Sequence, residues 1–207
     1  MTATTVQIHT PNLIEFTYVG NVIYFSSNAL ALSETDISIC SDNIVNDTQW
    51  YVGYIQLLEN FHHSKVLNIN SWTDEAVIIP AGVRQIQPSP LFGVKQVNFK
   101  SGRQYRGSTI SKILDDLLWI APHAETISIK SYCNRNKSSF KYKKHLTADC
   151  CKSLPVACWR HCIKEVEIVN ARTLKEEEIV KRYLLQEGDV YEKIVALKDL
   201  GDFIGDL

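Results

Sequence analysis

A short strand pattern that recurs at intervals of about thirty residues is the feature of this sequence that most restricts its fold. Each copy is an apolar residue, a polar residue and a second apolar residue, and the copies lie at positions 14–16, 37–39, 67–69, 97–99, 127–129 and 166–168. The three steps from Ile37 to Ile127 are equal, whereas the first step is shorter and the last is longer. Repetition at such a period is typical of repeat proteins, in which each unit buries its apolar side against its neighbours.

The surroundings of these strands repeat as well. A charged residue stands two positions before each of the last four copies, at Lys65, Lys95, Glu125 and Lys164. A serine follows three of the copies at the same offset, at Ser71, Ser101 and Ser131. The shared offsets predict that these strands lie side by side in matching register.

Alternation along a strand assigns side chains to two faces, because successive strand residues point in opposite directions. The apolar residues that begin at Leu67, Val97 and Ile127 are expected to share one interior. The intervening positions face the other way and are polar. We predict that ten of them form a concave face that binds a partner protein: Asn68, Asn70, Gln96, Asn98, Lys100, Thr126, Ser128, Lys130, Glu165 and Glu167.

The segments between the strands are long enough for the crossovers that parallel strands require. Apolar residues at spacings of three and four predict helices over residues 50–61, with Asp47 or Thr48 as the N-cap, and over residues 108–120, with Ser108 as the N-cap. The crossover over residues 72–92 contains Pro80, Pro88 and Pro90. Proline disfavours helix, so extended or turn structure is expected there.

The C-terminal segment departs from the repeat. Thr173 and Glu176 have the spacing of a capping box, which predicts a helix that ends near Gly188. A second helix is expected from Asp189 onward, with apolar residues Tyr191, Ile194, Val195 and Leu197. Such a helix pair would cover the open end of the sheet and keep its interior dry.

Phrases in this segment resemble the FBD domain that ends many plant F-box/leucine-rich-repeat proteins. They are Leu154-Pro155, Cys158-Trp159, His161, Ile163-Lys-Glu-Val-Glu-Ile168, Tyr183-Leu-Leu185 and Tyr191-Glu-Lys-Ile194. Residues 10–20 and 117–126 are similar to repeat phrases of the same family. The predicted fold is therefore α/β: an irregular leucine-rich-repeat-like solenoid with parallel strands over residues 1–150, closed by an FBD-type helical cap over residues 151–207.

The resemblance implies a substrate-recognition region of a ubiquitin-ligase receptor, with an unknown target protein as its partner. In that family an F-box docks on the Skp adaptor and cullin, whereas this sequence begins within the repeats and contains no F-box. Docking is therefore expected only if an F-box lies upstream. Two readings remain open at this point: a fragment of a longer receptor, or a free-standing interaction module or decoy.

An array that begins within its repeats exposes apolar residues that a preceding repeat would have covered. The apolar residues expected to be exposed to solvent are Ile8, Ile14, Phe16 and Tyr18. Apolar patches of several hundred Å² promote association. We therefore expect the isolated chain to self-associate.

The chemical motifs do not favour an enzyme, a metal site or a cofactor. The sequence contains neither a nucleophile elbow nor a phosphate-binding glycine loop, so no catalytic residues are predicted. One set of residues has the right chemistry for zinc but the wrong spacing: His145, Cys150, Cys151, Cys158, His161 and Cys162. We expect these cysteines to remain reduced thiols, buried in the C-terminal cap.

A basic run interleaved with aromatic residues, of the kind that contacts single-stranded nucleic acid, is the third functional alternative. Its cations are Arg135, Lys137, Lys141, Lys143 and Lys144, and a solvated loop is the expected structure.

The net charge of −1 gives no global attraction to nucleic acid or to an anionic membrane, and neither is an expected partner. Without a signal sequence or a long apolar run, a cytoplasmic or nuclear location is expected.

Overall fold

The computed structural model describes residues 5–40, 48–71, 77–102, 107–131, 138–143, 159–171, 174–185 and 195–198. The fold is α/β, with a mainly parallel sheet. In the described ranges the strands are β1 Thr5–Ile8, β2 Glu15–Gly20, β3 Tyr24–Ser27, β4 Glu34–Ile39, β5 Val66–Ser71, β6 Gln96–Ser101, β7 Thr126–Ser131, β8 Ser138–Lys143, β9 Glu165–Ala171 and β10 Val195–Lys198. The helices are α1 Thr48–Glu59, α2 Ala81–Ile86, α3 Gly107–Ile120, α4 Trp159–Cys162 and α5 Leu174–Leu185.

The large sheet has the strand order β10-β8-β9-β7-β6-β5-β4-β2. The central strands β5, β6 and β7 are parallel neighbours, with Leu67 opposite Val97 and Val97 opposite Ile127. Strand β9 continues the parallel set, with Val166 opposite Ile127. The prediction that the strands at 67–69, 97–99 and 127–129 pair in parallel with a constant step is confirmed.

The register nearer the N-terminus differs from the prediction. Ile37 lies opposite Tyr18 on one side and Ile69 on the other, whereas the sequence pattern aligned it with Ile14 and Leu67. The position opposite Leu67 belongs to Thr35. Thr35 is fully buried, and its hydroxyl is paired with the hydroxyl of Ser64 at 2.5 Å. This satisfied polar residue at an inward position concealed the true alignment.

One backbone contact repeats where each parallel strand begins. The carbonyl oxygen of the residue just before one strand accepts from two successive amides, those of the residue just before the next strand and of its first residue, at 2.7 to 3.2 Å. The accepting residues are Ile14, Ser33, Lys65, Lys95 and Glu125. The paired bonds fix the register of each strand against its predecessor before the sheet ladder continues.

The charged residues that recur before the strands stack at the same place. Lys164 Nζ lies 2.5 Å from one Glu125 carboxylate oxygen, and Lys95 Nζ lies 3.7 Å from the other. The hydrogen bond from Lys164 is the main cause that lowers the pKa of the Glu125 carboxyl. The repeated offset in the sequence therefore corresponds to a ladder of alternating charge across three strands.

One face of the sheet carries the core. The inward residues of the four central parallel strands are at most 1% exposed: Leu67, Ile69, Val97, Phe99, Ile127, Ile129, Val166 and Ile168. Helices α1 and α3 pack on this face. The buried residues of α1 include Tyr54, Leu57 and Leu58, and those of α3 include Ile110, Ile113, Leu114, Leu117 and Leu118. Each such aliphatic or aromatic side chain contributes roughly 1.5–3 kcal/mol to the stability of the fold by leaving water.

Helix α3 begins at Gly107, so Ser108, which the sequence had predicted as the N-cap, lies inside the helix instead.

The crossover over residues 72–92 was predicted without a helix, and this is wrong for its middle part. Helix α2 begins directly after Pro80, a position where proline is tolerated because the first helical amides have no partner within the helix. Arg84 on α2 donates to the Asp115 carboxylate at 2.7 Å and also to Asp116. The buried Asp116 in addition accepts the amide of Ile79 at 3.0 Å. These bonds hold the crossover that contains α2 against α3.

The C-terminal segment contains strand as well as helix. Helix α5 packs on α3, with the Tyr183 hydroxyl donating to Asp115 at 2.6 Å and the Tyr183 ring stacked on Trp159. The predicted second helix is wrong at Val195 and Leu197, which lie in β10. Only Val195 of this strand is β-branched, so pairing of β10 with β8 decides its structure and not local preference. The predicted boundary at residues 150 and 151, the capping Thr173 and the stretch from Asp189 to Ile194 lie outside the described residues.

The basic run was predicted to be a loop, and this is wrong over β8. Strand β8 pairs antiparallel with β9, with Lys141 opposite Glu167 and Lys143 opposite Glu165. Backbone pairing with β9 overrides the local preference of lysine for solvated loops. Arg135, Lys137 and Lys144 lie outside the described residues.

Strands β1 and β3, which the sequence did not predict, form a small parallel sheet of their own. Strand β2 is an edge of the large sheet, where Ile14 and Val19 are 61% and 65% exposed. Ile8, Phe16 and Tyr18, predicted to be exposed, are instead partly buried. Self-association of the isolated chain stays a prediction.

None of the helices in the described part of the chain is long and apolar enough to cross a bilayer.

Gly93 lies where two successive crossovers touch, and it tests this packing. A Cβ atom at Gly93 would stand 2.1 Å from the backbone oxygen of His62, so Gly93→Ala forces the two crossovers apart. We expect this change to lower the free energy of unfolding by about 1–3 kcal/mol in urea denaturation. Gly82→Ala is the matched control, since its Cβ meets nothing within 4 Å, and it should be neutral or stabilising. Equal stabilities of the two variants would contradict the packing described.

Candidate functional site

The face of the sheet opposite the core carries a shallow depression of about 390 Å³. Nine of the ten residues predicted for the partner-binding face line it: Asn68, Gln96, Asn98, Lys100, Thr126, Ser128, Lys130, Glu165 and Glu167. The tenth, Asn70, lies beside it, opposite Lys100 in register. The lining also includes Ile127, which is a core residue and only 1% exposed. The strand alternation in the sequence therefore identified the side chains that the sheet brings together.

Strand register arranges these side chains in three rows across the sheet. The first row contains Gln96, Thr126 and Glu165. The second row contains Asn68, Asn98, Ser128 and Glu167. The third row contains Asn70, Lys100 and Lys130. Neighbours within a row are ~4.8 Å apart, and rows are ~7 Å apart, because every second residue returns to the same face.

A directed chain of amide hydrogen bonds joins the first two rows. Gln96 donates to Asn98 at 3.3 Å, Asn98 donates to Asn68 at 2.7 Å, and Asn68 donates to a Glu34 carboxylate oxygen at 2.7 Å. Such chains polarise their members and hold them in one orientation. Asn68 is only 8% exposed. The amides on this side of the depression are therefore already positioned before any ligand arrives.

The third row ends in two lysines on adjacent strands. Lys100 and Lys130 are Cα partners across β6 and β7, so both ammonium groups rise from the same part of the face. On the other side of Lys100 the row continues to Asn70, whose amide donates to the Ser38 hydroxyl at 3.2 Å. The row therefore presents hydrogen-bond donors along its length, with the positive charge on β6 and β7.

Carboxylates stand at both lateral ends of the face. Glu165 and Glu167 occupy the β9 end, where the Ser128 hydroxyl donates to Glu167 at 3.3 Å. Glu34 and Asp36 of β4 occupy the opposite end. The sequence prediction contained only the β9 pair. The β4 pair shows the same alternation, but the polar Thr35 between them hid it.

The metal-binding residue types of the described ranges do not cluster. These ranges hold no group of three or more histidine, cysteine or carboxylate side chains placed to bind a metal. Of the zinc candidates, only His161 and Cys162 fall in these ranges, whereas His145, Cys150, Cys151 and Cys158 lie outside them. Cys40 and Cys162 are free thiols. His62 and His63 are exposed residues that follow α1, and the lining of the depression does not include them.

Comparisons with known proteins give no match. No model of a known protein family fits the sequence, and neither the curated proteins nor the solved structures include a significant relative.

Asn68 is the residue on which the amide chain depends. Asn68→Ala removes both the donor to Glu34 and the acceptor for Asn98, and we expect it to lower the free energy of unfolding by about 1–3 kcal/mol. Gln96→Ala is the control, because Gln96 is exposed at the open end of the chain, and a change within about 0.5 kcal/mol is expected. Urea denaturation of both variants measures the difference. An Asn68 variant as stable as the wild type would show that the amide chain does not form.

Proposed function

We propose that this chain is a protein-binding, target-recognition region related to that of plant F-box ubiquitin-ligase receptors. In this proposal the parallel strands belong to an irregular leucine-rich-repeat-like solenoid, and the polar face of the sheet holds the target. The chain performs no catalysis itself and carries no cofactor. Any covalent chemistry belongs to other subunits.

The solenoid interpretation is supported by the strand register, because after each crossover the chain forms a strand that is parallel to the preceding one and aligned with it. One row of in-register residues crosses the sheet from Tyr18 to Ile168, and each step along it brings a new strand parallel to its predecessor. The repeated carbonyl contact at the strand starts joins each turn of chain to the next. Stacked units of this kind bury one continuous core, and they leave an extended surface for binding.

The single observation that carries the functional proposal is the polar depression in the middle of the sheet. Nine of the ten residues that line it are polar or charged, the tenth is the core residue Ile127, and the depression lies on the face opposite the buried core. Sites for small molecules are mostly apolar and enclose most of the ligand. A shallow polar surface with ordered amides and separated charges instead suits a complementary protein surface, where charge determines specificity and association rate.

Attachment to a ligase is a separate part of the proposal. The resemblance to the F-box family lies in its repeat and FBD portions, so docking on the Skp adaptor and cullin needs an F-box upstream of Met1. Sequencing of the transcript in that region distinguishes a receptor from a free-standing module or decoy. Binding at the polar face is common to both versions.

Charge reversal on the face tests target binding. We expect Lys100→Glu combined with Lys130→Glu to weaken capture of cellular partners by about tenfold or more, because it inverts the centre of the face. Reversal of Lys141, Lys143 and Lys144 in the basic run is expected to have a smaller effect. Affinity purification with quantitative mass spectrometry measures the captured proteins, and circular dichroism checks folding.

Lys112→Glu is the matched control, since Lys112 is an exposed lysine on α3, away from the polar face. Its partners should equal those of the wild type. If the basic-run variant loses the partners and the Lys100/Lys130 variant keeps them, the assignment of binding to Lys100 and Lys130 is wrong.

A further inference from the structure

We infer that the chain forms a twofold dimer in which β2 pairs antiparallel with β2 of a second copy, and the open edges of β1 face each other at the same end. This inference goes beyond the proposed function, because it assigns a partner to the end of the sheet and not to its polar face. It also gives a definite form to the self-association predicted for the isolated chain.

Strands β1 and β2 belong to one winding of the chain, and β3 and β4 belong to the next. Thr5 lies opposite Tyr24 and Glu15 lies opposite Glu34, so both strand pairs have the same offset of 19 residues. Both pairs are parallel. The second winding therefore covers one side of the first winding in both sheets.

The other side of the first winding is open. Within the described residues, β1 pairs only with β3, and β2 pairs only with β4. The carbonyls of Ile14 and Gly20 accept amides at the two ends of β4. Successive strand residues direct their backbone groups to opposite edges, so those of Glu15, Thr17 and Val19 point to the open edge. Such an edge is a template for pairing with another strand.

Strand β2 lacks the side chains that usually protect an edge. Lysine and proline are the common protective residues, and β2 contains neither. Its one charged residue is Glu15. Val19 is 65% exposed, and Ile14 directly before the strand is 61% exposed. Exposed apolar residues that adjoin unpaired backbone groups favour association with a further strand.

A twofold axis perpendicular to the large sheet at Thr17 brings the open edges of two copies together in antiparallel register. Thr17 then lies opposite the partner's Thr17, and Glu15 lies opposite the partner's Val19. All three residues whose backbone groups point outward therefore exchange hydrogen bonds with the second copy. The interface is isologous, since the same strand serves both copies.

Side chains on the core side of β2 are complementary in this register. Phe16 lies opposite the partner's Tyr18, and aromatic pairs across strands stabilise a sheet. Both rings are only partly buried at the end of the core, and the second copy covers them further. Ile14 lies opposite the partner's Gly20, which has no side chain to obstruct it.

The carboxylates near the edge permit this pairing. Glu34 and Asp36 lie one strand further in, on β4. With strands ~4.8 Å apart and a rise of ~3.3 Å per residue, the nearest carboxylate residues of different copies, Glu15 and the partner's Asp36, are ~12 Å apart. This separation exceeds the Debye length of ~8 Å at physiological ionic strength, so salt screens most of their repulsion.

A second copy covers both open strands, whereas a single extended peptide added to β2 would leave the edge of β1 open. The small sheet lies on the core side of the large one, where the ring centroids of Phe16 on β2 and Phe25 on β3 are 5.3 Å apart. An axis perpendicular to the large sheet reverses β1 in the same way as β2, so the open edges of β1 also face each other. The polar faces of the two copies remain on the same side.

Sedimentation equilibrium of the full chain tests the dimer. We expect Val19→Glu to weaken dimerisation by about tenfold, because it places a carboxylate opposite the partner's Glu15. Addition of Glu15→Lys to this variant should restore the dimer, since opposite charges then face each other. Thr17→Pro should also weaken it, and proline is tolerated there because the Thr17 amide points to the open edge.

Leu30→Glu is the matched control. Leu30 is 66% exposed, as Val19 is, but it lies outside the strands, so dimerisation should be unchanged. Circular dichroism checks the folding of every variant.

Disulfide cross-linking tests the register. Residues opposite each other in a hydrogen-bonded antiparallel pair have Cα atoms ~5.5 Å apart, within the span of a disulfide. Thr17→Cys should therefore cross-link to itself, and Glu15→Cys should cross-link to Val19→Cys in a mixture but not to itself. The wild type under the same oxidation gives the baseline, because Cys40 and Cys162 are free thiols.

A chain that stays monomeric at high concentration would overturn the dimer. So would a dimer that ignores Val19→Glu and Thr17→Pro, or one that Leu30→Glu weakens as strongly. Failure of Glu15→Lys to restore the Val19→Glu dimer, or self-linking of Glu15→Cys, would overturn the antiparallel register. None of these changes alters Lys100 or Lys130, so the proposed function is tested separately.

Discussion

Backbone pairing between successive parallel strands is the interaction on which the rest of this structure depends. Each strand from β4 onward in the parallel set begins with two amides bonded to one carbonyl of its predecessor, and the ladder continues in register. A slip by one residue would exchange the two faces of the strand. It would place Asn98 in the core and Phe99 in solvent. The apolar core and the polar face are therefore two consequences of the same pairing.

This constraint explains how segments of unequal length coexist in one sheet. The step from Ile129 to Ile168 is much longer than the step from Tyr18 to Ile37, yet the strands retain their register because the added residues lie in the crossovers. Lengthening a loop adds little entropic cost, so crossovers can differ without disturbing the strands. Local contacts then fasten each crossover, such as the bonds that Arg84 on α2 donates to α3. Variation in the crossovers leaves the rows of the polar face intact.

The parts of the fold that the sequence predicts well are those where the local signals agree. Strands β5, β6 and β7 combine equal steps with clean alternation, and nine of ten predicted face residues line the depression. The prediction failed where signals competed. Ile14 is apolar but precedes β2, and Thr35 is polar but buried. Pairing partners far along the chain decide such positions.

Two further failures have the same origin. The lysines of β8 suggested a loop, and the residues around Val195 suggested a helix, yet both segments are strands. An antiparallel partner decides each of them: β9 for β8, and β8 for β10. Hydrophobic periodicity within a segment predicts which side chains face the core. It does not predict which strand of the sheet has a free edge with which the segment can pair. The β4 carboxylates were missed for another reason, because Thr35 between them is polar although it is buried.

Nuclear Overhauser contacts between methyl groups test the register most directly, in a protein labelled at leucine, valine and isoleucine. The shared register predicts contacts from Val97 to both Leu67 and Ile127, and none between Leu67 and Ile127, which are two strands apart at ~10 Å. It also predicts contacts from Ile127 to Val166. Contacts that instead link Leu67 to Ile129, or Val97 to Ile168, would contradict the shared register and with it the assembled polar face.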